Sequence, residues 1–141
     1  MKMYQHIVLA ADGSDNSIRA CKEAIKIAKL SPSAKVDVVF VASFDKVKSE
    51  VLRASSPESL EFKRRQKIAN VEQLLKDGDV PYIITMLKGE PGPEIVQYVN
   101  ERNADLIVIG SRGLNSLQEM VLGSVSHKVM KRVNCPALVV K

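Results

Sequence analysis

The amino-acid sequence predicts an α/β protein in which short buried strands alternate with amphipathic helices around a parallel sheet. Apolar residues make up 45% of the 141 residues, whereas aromatic residues make up 4% and Trp is absent. The core must therefore be built from aliphatic side chains, which suit strands that are buried on both faces. The apolar pattern switches repeatedly between continuous runs and the spacing of three and four residues that is typical of helices. Clusters of glycine, proline and serine separate these segments and indicate turns.

The first part of the chain predicts a strand, a helix and a second strand. Ile7–Ala11 is a continuous apolar run that ends at a glycine-containing turn. Apolar side chains then recur at helical spacing as far as Ala28. Either Ser14 or Asp15 can cap this helix by accepting hydrogen bonds from its first amides. Val36–Ala42 is the second apolar run and predicts the second strand.

The middle of the chain predicts an irregular segment followed by a helix, a strand and another helix. Residues 43–57 are mixed, polar and weakly periodic, so we expect irregular structure there. A helix is predicted from about Pro57 to Lys76, and Tyr82–Leu87 predicts the third strand. Glu94–Arg102 predicts the next helix, and Pro93 suits its first turn.

The last part of the chain contains the clearest buried strand, Asp105–Ile109. A glycine-containing segment, Gly110–Ser126, leads into a predicted helix at Val125–Val133 and a last strand at Ala137–Val140. Strands that alternate with helices in this way predict a parallel sheet with right-handed crossovers and helices on both faces. Without repeats or linkers, residues 1–141 are expected to form a single domain.

The formal net charge of +5 does not by itself predict a nucleic-acid-binding protein. The densest basic run is Lys63-Arg64-Arg65 with Lys67, and such a patch can bind phosphates. Three glutamates share the segment, so a solvated helix face is the favoured interpretation. No aromatic residues interleave with the basic ones, as a stacking platform for single strands would require.

The cysteines and the amino-terminal residues favour a cytoplasmic protein without a membrane segment. Cys21 and Cys135 are far apart and form no CxxC pattern, so we interpret both as buried small hydrophobic residues in a reducing compartment. No signal peptide is recognisable, and the apolar runs are too short to span a bilayer.

Two loops follow the carboxyl ends of predicted strands and carry suitable residues for ligand binding. In doubly wound sheets, ligands bind at that edge, where the strand order reverses. One loop contains Asp12, and the other begins at Gly110. Glycines let the backbone approach a ligand closely, and Gly123 and Ser124 open a helix whose amides favour an anion. Hydroxyl groups and Arg112 can add hydrogen bonds to phosphate.

The spacing of these residues leaves purely structural interpretations open. Gly110 can simply end a strand, Gly113 can permit a turn, and Ser124 or Asp12 can cap a helix. Neither GxxxxGK[ST] nor a GxGxxG motif after the first strand occurs, which argues against a P-loop enzyme and a dinucleotide site. His6 and His127 have no ligand-spaced partners, so structural or surface roles are favoured over metal binding.

The glycine pattern resembles the ATP-binding motif of the universal stress protein family. The similarity lies in Gly110-x-x-Gly113 followed after nine residues by Gly123-Ser124, and it extends over essentially the whole chain. His6–Ser14 is similar to the family's first strand and loop, and Lys88–Pro91 to its third strand-to-helix junction. The closing segment Cys135–Val140 is also close to the family pattern.

This resemblance implies a Rossmann-like five-stranded sheet of order 3-2-1-4-5 and a homodimer that pairs through the last strand. It also implies an ATP site (or one for ADP or AMP) in which Asp12 lies near the adenosine. The adenine and ribose pocket would be lined by Ala10, Ala11 and Val41. The backbone of Ile109 and Gly110 would border the ribose and phosphates. The phosphates would be wrapped by Arg112, Gly113, Gly123, Ser124, Val125 and Ser126.

Three functions remain open at this point. The first is a nucleotide-binding stress-response or regulatory protein, which we favour because Gly113, Gly123 and Ser124 are all present. The second is a slow ATP hydrolase, although Glu119 is the only carboxylate inside the glycine segment and nothing fixes its direction. Asp12 and Asp15 could hold Mg²⁺ through phosphate oxygens. The third is a dimeric interaction module that binds no nucleotide.

Overall fold

The computed structural model describes residues 4–42, 57–111 and 123–141. The strands in these ranges are β1 (His6–Ala10), β2 (Lys35–Ala42), β3 (Tyr82–Lys88), β4 (Leu106–Gly110) and β5 (Ala137–Val140). The helices are α1 (Asp15–Ala28), α2 (Pro57–Lys67), α3 (Ala69–Asp77), α4 (Pro91–Glu101) and α5 (Ser124–Arg132).

The strands form a five-stranded sheet of order β3-β2-β1-β4-β5, in which every neighbouring pair is parallel. The α/β class and the order 3-2-1-4-5 are thereby confirmed. The chain runs outward from β1 to β3 on one side and from β4 to β5 on the other. The strand order therefore reverses between β1 and β4, and this is where the carboxyl edge of such a sheet opens a crevice.

The two faces of the sheet carry separate hydrophobic layers. On one face, α1 and α3 pack against a cluster that includes Ile7, Leu9 and Val108. On the other face, α4 and α5 pack against a cluster that includes Val8 and Ile107. Because side chains alternate along a strand, consecutive residues of β1 and β4 serve opposite layers. The central strands are buried on both faces, as their continuous apolar runs predict.

Most predicted elements agree with the structure within one or two residues, but α4 begins earlier than expected. The sequence indicated a start at Glu94, whereas α4 begins at Pro91. Proline fits the first helical position because its missing N–H has no helical partner there. The segment interpreted as a turn therefore contributes the first turn of the helix.

The single helix predicted from Pro57 to Lys76 is wrong, because the chain bends at Ile68. The backbone of Ile68 has φ −110° and ψ 14°, which separates α2 from α3. Its amide donates to Arg65 O, three residues back, at 3.2 Å. The Ile68 side chain is fully buried in the core, and this burial holds the bend in place. The predicted irregular stretch 43–57 lies outside the described residues except for its last one.

The first helix is capped by Ser14, the first of the two alternatives that the sequence offered. Ser14 adopts an extended conformation, and its Oγ accepts a hydrogen bond from the amide of Ser17 at 3.2 Å. Ser17 returns a hydrogen bond from its own hydroxyl to Ser14 O at 2.9 Å. Asp15 instead contributes a negative charge to the first turn, where it complements the helix dipole.

Gly110 ends β4 at a point where α1 lies directly against the strand. A Cβ atom at this position would lie 2.8 Å from Asn16 Cβ and 2.9 Å from the Asn16 backbone carbon. Asn16 is itself buried, and a backbone atom cannot move aside cheaply. Glycine at position 110 is therefore required for the packing of α1 on β4, whatever else the residue does.

Gly110→Ala should lower the free energy of unfolding by about 1–3 kcal/mol, the usual cost of overpacking a close contact. Gly92→Ala is the matched control, because a Cβ there meets only the flexible Lys128 side chain, at 3.1 Å. Alanine is also the better helix former, so the control should lose no stability. Urea unfolding of both variants measures the difference, and equal stability in the two would contradict this packing.

Both cysteines are free thiols in the structure, and they differ in how deeply they are buried. Cys21 is fully buried beneath α3, as expected, and burial raises the pKa of its thiol to about 11. Cys135 is half-buried rather than buried, and partial burial raises its thiol pKa as well. Neither thiol is therefore activated as a nucleophile.

The raised pKa of Cys21 predicts a loss of stability in alkali. Between pH 9 and pH 11 the unfolded thiol ionises while the folded thiol stays neutral, so the free energy of unfolding falls as the pH rises. For this group alone the loss at pH 10 is about 1 kcal/mol. Urea unfolding at pH 7 and pH 10 measures this loss. Comparison of the wild type with Cys21→Ala isolates the contribution of the Cys21 thiol. A stability difference between the two proteins that does not change with pH would contradict the assignment.

Candidate functional site

The candidate site lies at the carboxyl ends of β1 and β4, which are adjacent in the sheet. Ala10 is aligned with Ile109 across the pair, so the loops that follow both strands leave the sheet side by side. The Asp12 loop and the Gly110 loop thus border the same crevice, as follows from the strand order that the family resemblance implied.

The β1–α1 loop is ordered by its own side chains. Asp12 Oδ1 accepts a hydrogen bond from the amide of Ser14 at 2.9 Å, which forms an Asx turn before the helix. Gly13 between them has φ +84°, a conformation that favours glycine. Asp12 therefore helps to start α1, and this role is compatible with a ligand contact because a carboxylate has further acceptor positions.

The end of α2 covers the same loop. A Cβ on Gly13 would lie 2.3 Å from the carbonyl oxygen of Lys67, the last residue of α2. One turn earlier, Arg64 is only 7% exposed, so it lies on the inner side of the helix. The loop that carries Asp12 is thus packed beneath a helix end that is rich in basic residues.

The start of α5 is attached to the end of β4 by two hydrogen bonds. The Gly123 amide donates to Ser111 O at 2.6 Å, and the Ser126 hydroxyl donates to Gly110 O at 2.6 Å. These contacts bring the two ends of the glycine segment together. Arg112 and Gly113, together with Glu119, belong to residues 112–122 and lie outside the described residues, so their predicted roles remain predictions.

The amino end of α5 faces this junction without a side-chain cap from its own N-cap residue. Gly123 occupies the N-cap position in an extended conformation, with φ −68° and ψ 160°, and has no side chain to offer. The amides of the first helical turn, which begins with Ser124 and Val125, can therefore bind an anion, and the helix dipole favours this. Ser126 differs from the expectation of a phosphate donor, because its buried hydroxyl binds Gly110 O.

The apolar residues expected around the base do not all face one way. Ala10 and Val41 belong to the layer under α4 and α5, as does the side chain of Ile109, whose backbone was expected beside the ribose. The Ala11 side chain lies in the opposite layer, beneath α1 and α3, because side chains alternate along the strand. Its amide donates to Val39 O at 3.0 Å. Because the side chain and the amide of Ala11 are occupied in this way, its backbone carbonyl is the group that can border the crevice.

Three residues near the site were not predicted from the sequence: Asn16, Arg19 and Lys67. Asn16 packs on Gly110, and Lys67 touches Gly13. Arg19 donates from Nε to Lys141 O at 2.9 Å and from Nη2 to Asn16 Oδ1. The glycines at positions 13 and 110 were visible in the sequence, but nothing in it indicated which distant residues they contact.

A second polar cluster lies away from the crevice, toward the amino ends of the strands. The buried Asp37 carboxylate accepts hydrogen bonds from the hydroxyl groups of Thr85, at 2.8 Å, and Tyr98, and lies 3.2 Å from His6 Nε2. Burial, followed by the hydrogen bond to Asp37, raises the pKa of Tyr98. His6 is thus a structural residue. No group of metal-ligating side chains was found among the described residues.

The basic run on α2 does not form a continuous exposed surface. Arg64 is buried, whereas Arg65 lies 3.1 Å from Glu72. The pKa of Glu72 is lowered by a hydrogen bond from the Tyr82 hydroxyl and by the charge of Arg65. The exposed pairing of Arg65 fits the interpretation of a solvated helix face, whereas the buried Arg64 departs from it. No helix in the described part of the chain has the length and apolarity needed to cross a bilayer.

Comparisons with known proteins agree with this geometry. A family model for the universal stress proteins matches residues 3–141. Universal stress protein MJ0531 of Methanocaldococcus jannaschii is 36% identical over 141 residues, which cover 99% of this chain and 83% of that protein. The solved structure of hypothetical protein MJ0577 superimposes with a TM-score of 0.83 at 30% identity, covering 99% of this chain and 97% of the other.

A further solved structure is that of a universal stress protein in complex with cAMP. It has a TM-score of 0.72 and 26% identity to this chain, with coverage of 99% and 98%. The match of the family model over nearly the whole sequence, together with these relatives, decides the classification. The chain belongs to the universal stress protein family.

Proposed function

We propose that this protein is a cytoplasmic, single-domain stress-response regulator that binds an adenine nucleotide, with ATP as the favoured ligand. The crevice between the ends of β1 and β4 would hold it. The observation that carries the proposal is the attachment of α5 to β4 through Ser111 and Gly123, because it brings a helix amino terminus to the edge of the sheet that also carries the Asp12 loop. The cAMP complex of a relative at 26% identity supports an adenine nucleotide.

In the proposed complex the base lies against Ala10 and Val41, which share one face of the sheet. Asp12 binds the adenosine, and the Ala11, Ile109 and Gly110 backbone borders the ribose. The phosphates lie at the start of α5, where Gly123, Ser124, Val125 and the Ser126 amide meet them. Arg112 and Gly113 complete the phosphate site.

Binding, with at most slow hydrolysis, is the activity that these residues support. Asp12 and Asp15 supply carboxylate oxygens of the kind that Mg²⁺ prefers, so Mg²⁺ would accompany the phosphates. Asp12 is assigned to the helix start and to the adenosine, so the proposal includes no general base for water. Occupancy would act by favouring one conformation of the protein over another. Neither membrane nor nucleic acid has a part in the proposal.

Gly123→Val should abolish ATP binding while the fold stays intact. The backbone at position 123 is extended, with φ −68°, so valine can adopt it, but its side chain would occupy the space next to the helix amides. Gly113→Val is expected to act in the same way. Isothermal titration with ATP, ADP, AMP and cAMP measures affinity and preference, and circular dichroism monitors the fold.

The control for this titration is Gly78→Ala, which alters a glycine at the end of α3, at the opposite edge of the sheet. It should bind ATP with the wild-type affinity. Unchanged ATP affinity in both valine variants would contradict the site. Absence of binding of all four nucleotides by the wild type would contradict the proposed function and favour an interaction module.

We also propose that the protein is a homodimer that pairs through β5. In the described sheet β5 is an edge strand, and all four of its residues are half-buried. An apolar edge strand tends to pair with another chain. Analytical ultracentrifugation at micromolar concentration should give twice the monomer mass, whereas a strictly monomeric mass would rule this assembly out.

A further inference from the structure

The end of β5 is hydrogen-bonded directly to the residues that border the candidate site. The Ser111 amide donates to Val140 O at 2.7 Å, and the Ser111 carbonyl in turn accepts from the Gly123 amide. Any displacement of Val140 therefore moves Ser111, and with it the residue that precedes the first amides of α5. Two residues, Ser111 and Gly123, connect the edge strand to the first amides of α5.

A second connection runs through Arg19 on α1. Its guanidinium donates to Lys141 O at 2.9 Å and to Asn16 Oδ1. Asn16 packs against Gly110, the residue whose carbonyl accepts from Ser126. Arg19 thus holds the residue after β5 against the part of α1 that packs on the end of β4. The planar fork of donors makes arginine suited to bridging two acceptors.

We propose that Arg19 is a positioning residue that couples pairing at the β5 edge to nucleotide binding in the β1/β4 crevice, an inference that rests on the proposed function. When β5 pairs with a second copy, its end is held in strand geometry, and Ser111 and Gly123 are held with it. Nucleotide binding orders the same residues from the other side. Because coupling between two binding events is reciprocal, each must strengthen the other by the same factor.

The coupling can be tested first without any nucleotide. In Arg19→Met, the amides of Ser111 and Gly123 should exchange with solvent about three- to tenfold faster, because a partly exposed hydrogen bond contributes about 0.5–1.5 kcal/mol. Lys26→Met is the matched control: it removes one positive charge from the same helix, but Lys26 pairs only with Glu23 among the described contacts. Its exchange rates should equal those of the wild type.

The second test measures the dimer dissociation constant with and without saturating ATP. The wild type and Lys26→Met should dimerise at least about fivefold more tightly with ATP, a typical coupling. Arg19→Met should still bind ATP and dimerise, but ATP should tighten its dimer less than that of the wild type, because only the direct connection from Val140 to Ser111 remains. Arg19→Lys keeps the charge but lacks the planar fork whose Nε and Nη2 reach the two acceptors, and should behave like Arg19→Met.

The outcomes separate this inference from the proposed function. If the wild type binds ATP and Arg19→Met keeps either the wild-type exchange rate at Ser111 or the full wild-type effect of ATP on the dimer constant, the inference is wrong and the proposed function stands. If the wild type binds none of ATP, ADP, AMP and cAMP, the proposed function fails and the inference fails with it. Faster exchange together with a smaller effect of ATP on the dimer constant, in the Arg19 variants only, supports the coupling.

Discussion

The attachment of α5 to the end of β4 is the interaction on which the candidate site depends. A parallel sheet places the carboxyl ends of β1 and β4 side by side, but this alone provides no ligand-binding group. The hydrogen bonds from Gly123 to Ser111 O and from Ser126 to Gly110 O bring the start of a helix to that edge. Backbone amides and the helix dipole are then at the same edge of the sheet as the loop of Asp12, so this edge carries groups from both halves of the sheet.

The fold could be predicted from the sequence because its evidence is local and repeated. Buried runs such as Ile7–Ala11 and Asp105–Ile109 have no alternative to a central strand once helices separate them. The ends of helices were harder to predict from the sequence, since they depend on contacts with distant residues. The bend at Ile68 arises because that side chain is drawn into the core, and a periodic pattern that continues across residue 68 gives no indication of it.

The site was predictable in position and less so in detail. Strand order placed Asp12 opposite Gly110, and the glycine spacing indicated the helix start that follows. Three details depend on contacts between distant residues: the packing of Gly110 on Asn16, the direction of the Ser126 hydroxyl, and the bridge made by Arg19. The placement of Ala11, in contrast, could be predicted from the sequence. Alternation of side chains along the strand puts Ala11 on the face opposite to Ala10.

The measurement that tests the central claim most directly is native mass spectrometry of the purified protein, before and after addition of ATP with Mg²⁺. The account predicts dimers that carry one adenine nucleotide per protomer, either co-purified or acquired on addition, with the mass shift identifying which nucleotide is retained. Protein that remains free of nucleotide after addition of ATP, ADP, AMP and cAMP would contradict it.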